Sequence, residues 1–239
     1  MPHPSPPPVV LVHGAWHGGW CWERVAHSLR AAGHPVFTPT LTGLAERHQL
    51  LNRDTGLETH ITDIVTLLTA QDLEQVVLVG HSYGGMVITG ASAAVPERIA
   101  TLVYLDAFVP GVGDSVMTLM PPDRAAIYAA AAADRGDGWR IPPPTAAAMG
   151  VTAPGDAAWL DAHLTDQPLL AFTQPLPRPA PPPGQIPRRY IRCTEGSPSF
   201  AAVAARLRAD PAWAYDEVPT GHDAMVTEPD ALAALLQAT

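Results

Sequence analysis

The chain contains no lysine; all 14 of its basic residues are arginine. Schiff-base chemistry and lysine-borne proton transfer are thereby excluded. Only two cysteines, Cys21 and Cys193, occur in 239 residues. Their spacing fits no zinc site, and two free thiols in a reducing cytoplasm are expected in preference to a disulfide. No apolar run approaches the ~18 residues of a spanning helix. Positive charge is scarce: 14 basic against 23 acidic residues give a net charge of −9. An acidic surface repels phosphate backbones and anionic lipid, so neither nucleic acid nor a membrane surface is an expected partner. The segment Met1 to Pro8 lacks the basic start and apolar stretch of a secretory signal. Its prolines favour an extended, solvated lead-in. What is abundant is apolar material, 47% of residues against 15% charged. That suffices for a large core in one domain, or one domain carrying an insertion.

Short apolar runs alternate with helical periodicity. Val9–Val12, Val36–Thr38, Val76–Gly80 and Leu102–Leu105 read as buried strands. Between them, Glu23–Ala32 carries helical spacing and stops at Gly33, and Leu57–Ala70 places Leu57, Ile61, Ile64, Val65 and Leu68 on one face. A further helix is expected over Gly84–Ala94, while Leu41–Asn52 is polar and irregular. The alternation pauses after Ala107. Residues 107–187 are rich in alanine and proline, with short helical pieces at Arg124–Ala133 and Ala157–Leu164 and a stiff Pro181-Pro182-Pro183 return. It resumes with a strand at Arg189–Cys193, a helix at Ser199–Ala209, a strand at Trp213–Val218 and a helix at Pro229–Leu236. Such alternation implies a mostly parallel sheet with helices on both faces. Residues 1–106 and 188–239 would form this α/β core, and residues 107–187 a small helical cap over the sheet edge.

Three short motifs carry chemistry. Gly80-His81-Ser82-Tyr83-Gly84-Gly85 follows a strand and opens a helix. That is the context of a nucleophile elbow, in which the serine sits in a strained turn and side chains in place of the flanking glycines would clash. The helix N-terminus also aims free N–H groups at any developing negative charge. His13-Gly14-Ala15-Trp16 ends the first strand. A loop there supplies one amide of an oxyanion hole and the residue after the nucleophile supplies the other, which nominates the backbone N–H groups of Ala15 and Tyr83. His13 itself reads as a loop-shaping residue, since a hole built from backbone does not require its side chain. Thr220-Gly221-His222-Asp223 lies between the last strand and last helix, where a base would be delivered. Of ten histidines, His222 alone has this position and a glycine turn to aim it; His27, His34, His48, His60 and His163 have no special context.

His13–Trp22, Leu41–Leu50, Gly80–Gly85 and Leu102–Pro110 together resemble the branch of the α/β-hydrolase superfamily that holds bacterial pyrethroid-hydrolase-like esterases. More distantly the chain is similar to plant methylesterases and hydroxynitrile lyases. The resemblance implies an α/β-hydrolase fold with a mostly parallel six-stranded sheet, a helical cap, no cofactor, and small hydrophobic esters as substrates; no metal site is expected. In the plant branch the triad acid is an aspartate directly after Cys-Thr-Glu. This chain reads Cys193-Thr194-Glu195-Gly196, with glycine in that place. Two carboxylates are open as replacements. Asp106 ends the strand beside the nucleophile strand, at the carboxyl edge where catalytic groups gather. Glu195 is the second candidate, its extra methylene offsetting a one-residue shift. A Ser-His pair without an acid is a third arrangement.

The function expected is a serine hydrolase that cleaves a small carboxylic ester through Ser82, His222 and an acid. The alternatives are a non-hydrolytic lyase or cyclase on the same scaffold, and a ligand-binding module without turnover. Cyanohydrin-cleaving relatives carry lysine directly after the histidine; here that residue is Asp223. Trp16, Trp20, Trp22 and Tyr83 near the oxyanion loop, and Met117, Met120, Trp139, Met149, Trp159 and Phe172 in the cap, are candidates for an apolar pocket. Trp16 and Trp20 are the first choices. The oligomeric state is not expressed in the sequence.

Overall fold

The computed structural model describes residues 6–182 and 184–239. Residues 1–5 and Pro183, assigned above to an extended lead-in and a stiff return, lie outside the described residues. In chain order the elements are β1 (Val9–Val12), α1 (Glu23–Ala31), β2 (Val36–Phe37), α2 (Leu57–Ala70), β3 (Val76–His81), α3 (Gly84–Ala94) and β4 (Ile99–Leu105). There follow α4 (Val116–Leu119), α5 (Pro122–Arg135), β5 (Arg140–Ile141), α6 (Pro154–His163), β6 (Gln167–Pro168) and α7 (Leu169–Thr173). The chain closes with β7 (Arg188–Cys193), α8 (Ala201–Arg208), β8 (Trp213–Val218), α9 (Ala224–Thr227) and α10 (Pro229–Gln237).

Six strands form one sheet in the order β2-β1-β3-β4-β7-β8, and every pairing is parallel. The expected sheet is thus present and wholly parallel. Strand side chains alternate between two cores, as a two-residue period requires. Val10, Val12, Leu78, Leu102 and Tyr104 join the core that holds α2, α3 and α8. Val9, Leu11, Val77, Val79, Val103 and Leu105 join the core that holds α1 and α10. All four residues of β1 are buried, which explains why that strand is continuously apolar. Gly33 stops α1 as expected. Its φ is +93°, and the N–H groups of Gly33 and His34 donate to the carbonyls of Arg30 and Leu29.

Several local expectations shift. The helix expected from Ser199 begins as a 3₁₀ turn, Pro198–Phe200, because proline fits a first turn, and α8 follows it. Residues 107–187 also hold an antiparallel pair, β5 with β6, that no sequence pattern announced. Two-residue strands are too short to display a period. Among the described residues, no helix is long and apolar enough to cross a membrane.

Candidate active site

The carboxyl ends of β1, β3 and β4 converge on one cavity of about 100 Å³, and Ala15, Ser82, Tyr83 and His222 all line it. Ser82 sits at φ +53° between β3 and α3. A non-glycine residue held there is strained, and the surroundings must over-determine it. They do: the Ser82 amide donates to the Leu105 carbonyl, and the Ser82 carbonyl accepts from the amides of Gly85 and Phe108. The flanking glycines are required by contact. A Cβ on Gly80 would stand 2.6 Å from the Gly84 carbonyl oxygen, and one on Gly84 would stand 2.8 and 2.9 Å from the carbonyls of Val12 and His13.

Asp106 leaves β4 with a second positive φ, +40°. Its carboxylate is fully buried, and its Oδ2 accepts from Nδ1–H of His222 at 2.6 Å. Oδ1 accepts from the Arg192 guanidinium, whose Nη2 also donates to the Ser197 carbonyl. Of the two candidate acids, Asp106 is therefore the one in contact with His222. Glu195 is exposed, its amide tied to the Thr220 carbonyl. The glycine at 196 is part of the reason. A Cβ there would lie 2.6 Å from Oδ2 of Asp106, so the aspartate occupies the room that a side chain at 196 would need.

Burial alone would lower the His222 pKa. The hydrogen bond and charge of Asp106, with a contribution from Asp223, outweigh it and raise the value above the ordinary imidazole range. Nδ1–H facing a carboxylate leaves Nε2 as the unprotonated nitrogen of the neutral ring. Phe200 stacks on the His222 ring at 5.3 Å and 13°.

Around the cavity lie histidines that the sequence could not rank. His81 Nε2–H donates to the His222 carbonyl at 3.0 Å, joining the Ser82 turn to the loop that carries His222. Burial drives the His81 pKa well below its ordinary value, so the ring is neutral. His60, expected to have no special context, is fully buried against Tyr83. Its Nε2–H donates to the Thr42 carbonyl, and its Nδ1 accepts the Tyr83 hydroxyl at 2.8 Å. Burial lowers its pKa to about 4. Tyr83→Phe removes that hydroxyl and leaves Nδ1 buried without a donor. A destabilisation of about 1–3 kcal/mol is expected, read from denaturant unfolding. A variant as stable as the parent would mean that the pair contributes nothing. His13 is structural, as expected: Nδ1–H donates to the Gly14 carbonyl and Nε2 accepts from Leu41 N–H.

The apolar candidates separate. Trp16, Met120, Met149 and Phe172 line the cavity, with Tyr128, Phe108 and Phe200 added. Trp16, Tyr128 and Phe172 meet with centroids 5.5–5.8 Å apart. Trp20, a first choice for the pocket, does not line it. Its ring stacks on His17 and meets Trp159 edge-on at 5.0 Å, outside the cavity. Trp139 packs beneath Arg53 and Arg140 instead. The reason is local. Trp16 has φ +66°, which turns the chain so that Trp16 faces the cavity.

Comparison with known proteins gives four findings. A family model described as "Alpha/beta hydrolase family" matches residues 9–235. A carbendazim hydrolyzing esterase from Nocardioides sp. (strain SG-4G) is 42% identical over 238 residues, covering 96% of this chain and 98% of that one. Among solved structures, an extracellular alpha/beta-hydrolase from a Paenibacillus species superposes with TM-score 0.80 at 26% identity, over 97% of this chain and 98% of the other. A pyrethroid hydrolase from Sphingobium faniae JZ-2 superposes with TM-score 0.72 at 24% identity, over 97% and 96%, which bears on the fold alone.

Proposed function

This chain belongs to the alpha/beta hydrolase family, and from that premise we propose that it cleaves a small ester by two-step acyl transfer through Ser82. Ester cleavage as such follows from the esterase to which it is similar along nearly its whole length. The steps are our reading. His222 Nε2 takes the Ser82 proton as Oγ attacks the ester carbonyl. The amides of Ala15 and Tyr83 hold the oxyanion. The imidazolium then protonates the leaving alcohol, and neutral His222 later activates water to release the acid. Asp106 holds Nδ1–H throughout. The observation that carries this reading is the buried 2.6 Å contact between Asp106 and His222, opening onto the cavity that Ser82 shares.

Residues 107–187 act as a cap, with residues 6–106 and 188–239 as the core. The cap's contribution to the cavity, including Met120, Tyr128, Met149 and Phe172, supports that division. The aromatic lining supports a flat, apolar substrate, and carbendazim is the first compound to try. Two free, buried thiols support a reducing, cytoplasmic setting.

Stoichiometric labelling of Ser82 by a fluorophosphonate probe tests the nucleophile, and recovery of acid and alcohol in equal amounts from p-nitrophenyl butyrate tests hydrolysis. Rapid labelling with both products is expected. Absence of labelling and turnover would end the proposal, and labelling with a non-hydrolytic product would move it to the lyase class. The pH profile is a separate check. Only neutral His222 accepts a proton, and its pKa is raised. The acid limb of kcat/KM is therefore expected above about pH 6.5, the ordinary imidazole value. A limb below that value would contradict the Asp106 contact.

A further inference from the structure

Outside the groups used above, one buried titratable side chain touches both loops of the site. His17 is 1% exposed and Asp223 is fully buried. The ring of His17 lies between two groups that can only accept. Nδ1 is 2.7 Å from the Ala15 carbonyl oxygen, and Nε2 is 3.3 Å from Oδ2 of Asp223. A neutral imidazole has one N–H, so it satisfies one of these contacts and presents a lone pair to the other. Both close only if a proton also sits between Nε2 and the carboxylate.

We propose that His17 is a positioning residue, held as an imidazolium between Ala15 and Asp223, that locks the oxyanion loop to the loop carrying His222. The inference rests on the roles given above to Ala15 and His222. Asp223 requires such a partner in its own right. No arginine lies within ion-pair distance of it among the described residues, and its Oδ1 has no hydrogen-bond donor there. A buried carboxylate without a counter-charge is strongly disfavoured. Burial would raise the Asp223 pKa, yet the charge and hydrogen bond of His17 bring it to about 2. The carboxylate is thus ionised, and with an acceptor at each ring nitrogen the proton that closes both contacts is placed on the His17 ring. The groups facing that ring are Asp223, His81 edge-on at 6.0 Å, and Trp20 stacked at 5.6 Å.

The consequence is mechanical. The His17 contact fixes the Ala15 carbonyl at the start of a turn whose next residue, Trp16, stands at φ +66°. The other end of the bridge is the residue directly after His222. The oxyanion amide and the base are therefore set against each other through one ion pair, although the pair's residues lie 206 positions apart.

Three variants separate this from simple packing. Asp223→Ala removes the acceptor, and a loss of about 100-fold in kcat is expected with KM changed less than about twofold, since misplacement of this order acts on the transition state. Asp223→Asn lets its Nδ2–H donate to Nε2 of a neutral His17, so the bridge re-forms without charge and most of the lost kcat returns. His17→Gln combined with Asp223→Ala is expected to lose no more than either change alone. The protonation state is read independently of activity, by nitrogen NMR of histidine-labelled protein at pH 7. Two protonated ring nitrogens are expected for His17 in the parent and one in Asp223→Asn. A singly protonated His17 in the parent overturns the proposal even if the enzyme is fully active. Equal kcat losses in Asp223→Ala and Asp223→Asn also overturn it. An inactive parent with a doubly protonated His17 would instead count against the hydrolytic reading while leaving the bridge in place.

Discussion

Ser82→Ala is expected to lower kcat for p-nitrophenyl acetate by about 10⁶-fold, the scale seen when the nucleophile of a serine hydrolase is removed. The cause is the loss of the covalent route. Without Oγ, His222 has no proton to take, and water must attack directly. The fold should survive, because the strain at φ +53° is held by backbone bonds from Ser82 to Leu105, Gly85 and Phe108, none of which uses the hydroxyl. KM is expected to change little, since every other side chain lining the cavity is untouched. A residual rate of about 10³–10⁴ over water would remain from the oxyanion amides and binding. Steady-state rates on material free of probe-reactive serine measure this, and a loss below about tenfold would remove Ser82 from the mechanism.

Asp106→Asn is the second large effect, with about 10⁴ expected in kcat at neutral pH. Arg192 decides why. Its guanidinium can only donate, so the new amide must turn its oxygen to Arg192 and its NH₂ to His222. Nδ1 of His222 then accepts, and the ring's proton moves to Nε2, where Ser82 needs a base. The same exchange removes the main group that raises the His222 pKa, so the remaining acid limb moves to lower pH. Glu195→Gln, on an exposed side chain away from the base, is expected to change kcat less than about twofold. A reversed pattern between the two variants would return the acid to Glu195.

Those residues differ in how far the sequence reveals them. The elbow is legible because strand, serine, glycines and helix are neighbours in the chain, and the clashes that demand Gly80 and Gly84 arise from the same turn. His222 is legible by its place after the last strand. Asp106 is half-legible: its position was clear, but the choice over Glu195 required the contact at 2.6 Å. The supporting layer was not legible. His60 reaches Tyr83 across 23 positions, Arg192 reaches Asp106 across 86, and His17 reaches Asp223 across 206. No short motif contains both members of such a pair. Trp20 shows the opposite failure, since it is near the site in the chain and outside the cavity in space.

The room that Asp106 takes where a side chain at 196 would begin has a consequence for descent. A side chain at 196 would begin 2.6 Å from the carboxylate that holds the base. Position 106 and position 196 therefore cannot both carry an undisturbed acid. A lineage moving the acid between positions 106 and 196 could not do so through a well-packed chain bearing both. One substitution at a time, it passes through a crowded double-acid chain or through one with no acid, slower by about 10⁴. The two arrangements are separated by a fitness valley whose walls are a steric clash on one side and a lost orienting charge on the other.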